Sequence, residues 1–209
     1  MIKNIEKRAA HSAACEIRAA SETSAGTIAG YAALFDTQTT IAGSFTETIA
    51  RGAFSEALKT SDVHALHNHD YGAVMGRVKS KTLRIKEDAK GLYFEVDLPA
   101  TQQGRDLAAL VARGDVDQAS FQFNLVGGKQ SWDESGDLPA RTIERVGELF
   151  DVSICPRGAY SETSVSLRDI AAPALESLDE YRKQKKQHNF SAAARRLAMK
   201  VNLELYGRE

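Results

Sequence analysis

Three of the chain's five histidines fall within six positions, in His64-Ala65-Leu66-His67-Asn68-His69, with Asp70 next in line. Histidine titrates near neutrality, so it is the usual carrier of protons and a frequent metal ligand. Two later segments place Ser120 and Asp151 among apolar neighbours that want a core. A hydroxyl, an imidazole and a carboxylate are the parts of a hydrolytic site in which serine attacks a carbonyl.

A serine hydroxyl is barely acidic and needs a base beside it. The histidine cluster offers one. In an extended segment His67 and His69 share a face, while His64 points the other way. A third group must hold the imidazole in one tautomer. Asp151 lies on the polar side of its segment, whereas Glu148 shares a side with Phe150 and Val152. Parity therefore favours Asp151 and keeps Glu148 in reserve, because a bulge exchanges the faces. The cluster has a second reading. His64, His67, His69 and Asp70 offer nitrogen and carboxylate ligands of the kind zinc takes. Their spacing matches no zinc motif, and no His-Glu-x-x-His is present. By spacing alone the histidines read first as residues with no chemistry at all.

The elements that must hold these residues are mostly strands. Thr27 to Phe35 reads as a first strand, and Gly52 to Leu58 as a short helix with Phe54, Ala57 and Leu58 on one side. Leu83 to Lys86, a turn over Asp88 to Gly91, and Leu92 to Leu98 form a predicted hairpin. In its second arm Leu92, Phe94, Val96 and Leu98 alternate with Tyr93, Glu95 and Asp97. Thr101 is placed to cap a helix that Gly114 ends. Val116 to Asn124 is a strand with Ala119, Phe121 and Phe123 on one face and Ser120, Gln122 and Asn124 on the other. That polar face is expected to look into solvent or a cleft. A polar excursion runs from Gly127 to Pro139, and Arg141 to Val146 leads into a last strand, Leu149 to Cys155.

The organisation read from this pattern is an N-terminal arm over 1–26, loosely held, a mostly β domain over 27–168, and a helical tail over 169–209. Leu175, Leu178 and Tyr181 set the first helical spacing of the tail. The basic run Arg182-Lys183-Gln184-Lys185-Lys186 follows, and Ala194, Leu197, Ala198, Val201 and Leu205 set a second. The fold class is mainly β with α (α+β).

Composition narrows the function. The chain has 209 residues, is 43% hydrophobic and 26% charged, and carries a net charge of -1. That balance suits a globular protein and gives no electrostatic case for nucleic acid or an anionic membrane. No apolar run approaches the roughly 20 residues that span a bilayer. The N-terminus carries no secretory pattern. Cys15 and Cys155 fit no metal or redox spacing and read as reduced thiols. No cofactor motif is present.

Taken in order, these residues resemble the prohead (capsid maturation) serine proteases of tailed phages of the HK97-like kind, over about Ile28 to Arg168. The resemblance is carried by Gly30-Tyr31-Ala32-Ala33-Leu34-Phe35, Ile49-Ala50-Arg51-Gly52-Ala53-Phe54, Leu66-His67-Asn68-His69-Asp70 with Met75-Gly76-Arg77-Val78, Ala119-Ser120-Phe121-Gln122-Phe123, Leu149-Phe150-Asp151-Val152-Ser153-Ile154, and Ala159-Tyr160-Ser161-Glu162-Thr163. Gln122 stands where the family often has glycine, Gly158 where it has proline, and Asp151 where glutamate is frequent. The resemblance implies His69, Ser120 and Asp151 as the catalytic residues, with no metal and no cofactor. It also implies a small closed β barrel with flanking helices, similar to the herpesvirus assemblin proteases. Arg157, just past the acidic strand, reads either as a holder of a water or backbone group near the site or as a surface arginine. The expected partners are the major capsid protein with its scaffolding segment, and the chain itself through self-cleavage or a homo-oligomer. The expected place of action is the prohead in the bacterial host cytoplasm. An inactive assembly protein on the same fold and a metal-dependent hydrolase are the alternatives.

Overall fold

The computed structural model describes residues 5–9, 15–18, 24–156, 171–188, 191 and 195–196. The chain divides into two compact units, Met1–Ala171 and Ala172–Glu209. The helical spacing expected after Pro173 appears as a helix over residues 171–188, and Ala174 and Leu178 are buried. The second helical pattern, from Ala194 to Leu205, lies almost wholly outside the described residues, as do Arg157 and the Ala159–Thr163 segment.

The first unit is mostly sheet. Its strands are β1 (Glu6–Ala9), β2 (Glu16–Arg18), β3 (Ser24–Leu34), β4 (Thr39–Ile41), β5 (Phe45–Ile49), β6 (His64–His67), β7 (Asp70–Arg77), β8 (Leu83–Glu87), β9 (Gly91–Pro99), β10 (Gln118–Asn124), β11 (Lys129–Asp133), β12 (Ala140–Arg145) and β13 (Glu148–Cys155). Two helices, α1 (Ala57–Thr60) and α2 (Gln102–Arg113), interrupt them. The strands form three sheets, in the orders β1-β10-β13-β6-β7, β11-β12-β5-β4 and β2-β3-β9-β8. The mixed, mainly β class agrees with the sequence. The single closed barrel does not appear: among the described residues each sheet keeps two edge strands. Period-two alternation records one buried face per strand, and a closed barrel and packed open sheets write the same alternation.

The core fills the space between sheets. Phe94, Val96 and Leu98 of β9 are buried, as are Phe121 and Phe123 of β10 and Leu107 and Val111 of α2. Phe54 meets Phe121 edge-on at 5.5 Å between ring centres. Each such side chain contributes roughly 1.5–3 kcal/mol by leaving water. Helix α2 follows its end signals. Thr101 accepts from Gly104 N–H, and Gly114 takes φ 79° at the C-terminus. The helix expected over 52–58 instead starts at Ala57. Glu87 of β8 accepts the Phe54 N–H at 2.9 Å and also takes the Ser55 hydroxyl, which holds the preceding turn open.

Two expectations are corrected here. The polar excursion contains β11, whose Trp132 is buried edge-on against Phe45 at 5.2 Å. The first 26 residues are not merely a loose arm. β2 pairs with β3, and β1 pairs antiparallel with β10 in the register Glu6↔Phe123 to Ala9↔Ser120. Alanine-rich polar sequence hid both strands, because what holds β1 is ionic. Glu6, Arg8, Glu47 and Arg141 form a buried cluster with Arg8–Glu6, Arg8–Glu47 and Arg141–Glu6 each at 2.6 Å and Arg141–Glu47 at 2.8 Å. Burial pushes the Glu47 carboxyl up, but Arg8 and Arg141 beside it outweigh that and hold it below the usual carboxylate range.

Arg141→Ala leaves two buried carboxylates facing one guanidinium, so a loss of about 3–5 kcal/mol is expected in urea unfolding. Glu47 binds a proton more readily unfolded than folded. Its contribution is therefore complete above the ordinary carboxylate range and fades as pH falls through its lowered value. Urea midpoints for the wild type should fall on acidification. In Glu47→Gln the share of that fall due to Glu47 should be missing.

Candidate active site

The three residues singled out from sequence meet at one point. His69 Nδ1 lies 2.7 Å from Asp151 Oδ1, and His69 Nε2 lies 2.8 Å from Ser120 Oγ. Ser120 is near the start of β10 and Asp151 is in β13, adjacent strands of the five-stranded sheet. Both are fully buried. Of the two expectations for the polar face of β10, solvent does not hold: Ser120, Gln122 and Asn124 are all buried, with the His69 ring against Ser120 and the Lys7 side chain against Gln122.

His69 reaches the site by an unusual backbone. His67 and Asp70 pair across the β6–β7 hairpin, leaving Asn68 and His69 as a two-residue loop with φ 55° and 59°. Both central residues are left-handed, the geometry of a type I′ turn, in which glycine usually fills the second position. Histidine tolerates this region better than most side chains, though at some cost in strain. The turn is strapped to β13. Asn68 N–H donates to Ile154 O at 3.1 Å, and His69 N–H donates to Ser153 Oγ at 3.1 Å. Strand parity placed His67 and His69 on one face; the turn breaks that parity and delivers His69 alone to the site. His64 instead packs edge-on against Tyr71, with ring centres 5.8 Å apart.

Asp151 is held by more than the imidazole. Ser153 Oγ donates to Oδ1 at 2.8 Å. With its amide turned to suit its neighbours, Gln122 donates to Oδ2 at 2.9 Å and accepts from Lys7 Nζ at 2.9 Å. Three donors on one carboxylate answer the cost of burying it. A carboxylate accepts, so Nδ1 carries the imidazole proton and Nε2 offers its lone pair to Ser120. Glu148, the reserve candidate, is exposed at the start of β13 and pairs with Asn124. Sequence reading missed Ser153 and Gln122. Their parity with Asp151 and Ser120 was the available signal.

The metal reading finds no support in the placement. Among the described residues no three His, Cys, Asp or Glu side chains converge on a common point. The two cysteines are unpaired and buried. Burial, with Cys155 and Asp117 nearby, pushes the Cys15 thiol up to about 12; burial and Asp117 push Cys155 to about 11. No described helix is long and apolar enough to cross a membrane.

A serine, an imidazole and a carboxylate joined in one hydrogen-bonded line are an arrangement suited to acyl transfer. Comparison with known families agrees: residues 13–181 match the model of the caudovirus prohead serine proteases, and the chain belongs to that family. It is also similar in fold to the bacteriophage T4 capsid assembly protease, with a TM-score of 0.44 and 12% identity over 72% of this chain and 94% of that one. No curated protein matches the sequence.

Proposed function

We propose that this chain is an endopeptidase that cuts the major capsid protein and its scaffolding segment during prohead maturation, inside the prohead in the host cytoplasm, and trims its own tails. The observation that carries the reading is the unbroken path Asp151–His69–Ser120, with both links at hydrogen-bond distance. Ser120 Oγ attacks a peptide carbonyl carbon while its proton passes to His69 Nε2. Asp151 orients the ring and stabilises its charged form. The proton then goes to the leaving amine as the C–N bond breaks, and a serine ester remains. Water, losing its proton to the same nitrogen, adds to the ester, and the acyl group leaves as a carboxylic acid while serine regains its proton. The family and the acyl-transfer geometry support this reading over the metal-dependent one.

The test is direct. Full-length chain is incubated with capsid protein carrying its scaffolding segment. Discrete fragments are expected with wild type and none with Ser120→Ala. A chelator that abolished cleavage, or fragments that persisted in Ser120→Ala, would overturn the proposal. His67→Ala removes a half-buried neighbour outside the hydrogen-bonded line, so its cleavage rate should change no more than about twofold, as for an ordinary surface substitution. A loss as large as that of His69→Ala would mean the base is misassigned. The inactive-assembly alternative keeps one observation in its favour, the complete burial of Ser120.

A further inference from the structure

We infer that β1 lies in the groove that receives the polypeptide substrate, and that Glu47 and Arg141 beneath it select an arginine with a glutamate two residues before it. The inference rests on the endopeptidase reading above. Ser120 Oγ has two partners, His69 Nε2 at 2.8 Å and the backbone carbonyl of Arg8 at 2.8 Å. A hydroxyl has one proton. Arg8 O and the Nε2 lone pair compete for it, so the β1 backbone draws it away from the base. Nor can a second polypeptide reach an oxygen with no exposed surface. The serine is therefore occupied, and the occupant is an extended peptide of this chain.

That occupant sits as an added strand would. β1 is the outermost strand of its sheet and pairs antiparallel with β10, ending with Ala9 opposite Ser120. Peptides are commonly captured by pairing with a sheet edge, where backbone bonds give affinity and alternate side chains give selectivity. Here the alternate side chains are Glu6 and Arg8, on the side of the strand away from Ser120. Arg8 gives Nε to Glu47 Oε1 at 2.6 Å and Nη2 to Glu47 Oε2 at 3.0 Å. Its guanidinium carbon lies 5.8 Å from the Phe123 ring centre. Glu6 is gripped by Arg141, from Nη2 to Oε1 at 2.8 Å and from Nη1 to Oε2 at 2.6 Å. Both contacts are two-pronged, the geometry that gives guanidinium–carboxylate recognition its specificity. Glu47 and Arg141 also bond each other, at 2.8 Å. With β1 gone they still neutralise one another, so the receptor is built from β5 and β12 alone. Lys7, between the two anchors, turns to the catalytic face and reaches Gln122.

The experiment uses the full chain with Arg8→Ala, which loosens β1, and with Glu6→Gln as a milder form should the first fail to fold. The probe is a fluorescent peptide of sequence Ile-Glu-Lys-Arg-Ala-Ala, with a second peptide carrying alanine in place of arginine. Polarisation should show the arginine peptide binding either variant about tenfold tighter than wild type, and about tenfold tighter than the alanine peptide. Adding Glu47→Gln should erase the preference between peptides. In parallel, a small uncharged fluorophosphonate should label Ser120 about tenfold faster in the loosened chains. Equal peptide binding by wild type and variants, or no preference for arginine, would overturn the inference. Arginine-selective binding with no labelling of any chain would instead preserve the groove and sink the catalytic reading.

Discussion

Ser120→Ala and His69→Ala should each lower the rate of substrate cleavage about 10^4-fold or more, and the double variant should be little worse than either alone. The expectation follows from the way the two groups act. The hydroxyl is the attacking atom, and it attacks only as its proton leaves to Nε2, 2.8 Å away. Removing the acceptor leaves a neutral hydroxyl in a buried site with no base, and removing the hydroxyl leaves a base with nothing to activate. What survives is catalysis by binding and by backbone donors alone. Stability should fall modestly in His69→Ala, because buried Asp151 loses one of its three donors while the positive φ and the backbone N–H to Ser153 Oγ are retained. Urea unfolding of each variant separates loss of chemistry from loss of fold. A His69→Ala chain that cleaves within tenfold of wild type would remove the imidazole from the mechanism.

The second large effect is expected of Asp151→Asn, also about 10^4-fold in kcat, with the fold intact. Asparagine occupies the same volume. It can, however, present an N–H to Nδ1, which then becomes the acceptor and moves the imidazole proton to Nε2. The lone pair that should receive the serine proton is lost. Ser153 and Gln122 decide how completely this happens. Gln122 donates to Oδ2, so the asparagine oxygen is drawn there and its nitrogen takes the Oδ1 place, facing the ring and Ser153 Oγ, whose hydroxyl can turn to accept. Glu148→Gln is the matched control: Glu148 is exposed and outside the hydrogen-bonded line, and its loss should leave kcat unchanged. Equal losses in the two variants would return the third position to Glu148.

Much of this site was legible because it lies on strands. The alternation of Phe121 and Phe123 with Ser120, and of Phe150 and Val152 with Asp151, put both polar groups on known faces. The family's motif order then named His69. The Thr101 and Gly114 signals bounded α2 for the same local reason. What stayed hidden depends on contacts distant in sequence. The two-residue turn that lifts His69 out of strand parity is stabilised by Ser153 and Ile154, more than 80 residues away. β1 carries no apolar alternation, since its buried face is Glu6 and Arg8, and only Glu47 and Arg141 make that burial tolerable. β11 was masked by the glycines and proline around it, although its single tryptophan was the residue most in need of a core. Closure of a sheet is a long-range property that no period in one strand records.

The central claim is that Ser120 is a nucleophile driven by His69, and covalent capture tests it most directly. Full-length chain is treated with a serine-directed phosphonate, digested, and its peptides weighed. A single adduct on Ser120, slow in wild type while β1 covers the site and faster in Arg8→Ala, absent in Ser120→Ala and reduced to background in His69→Ala, is the predicted result. An adduct on another residue, or one on Ser120 that forms as fast without the imidazole, would contradict it.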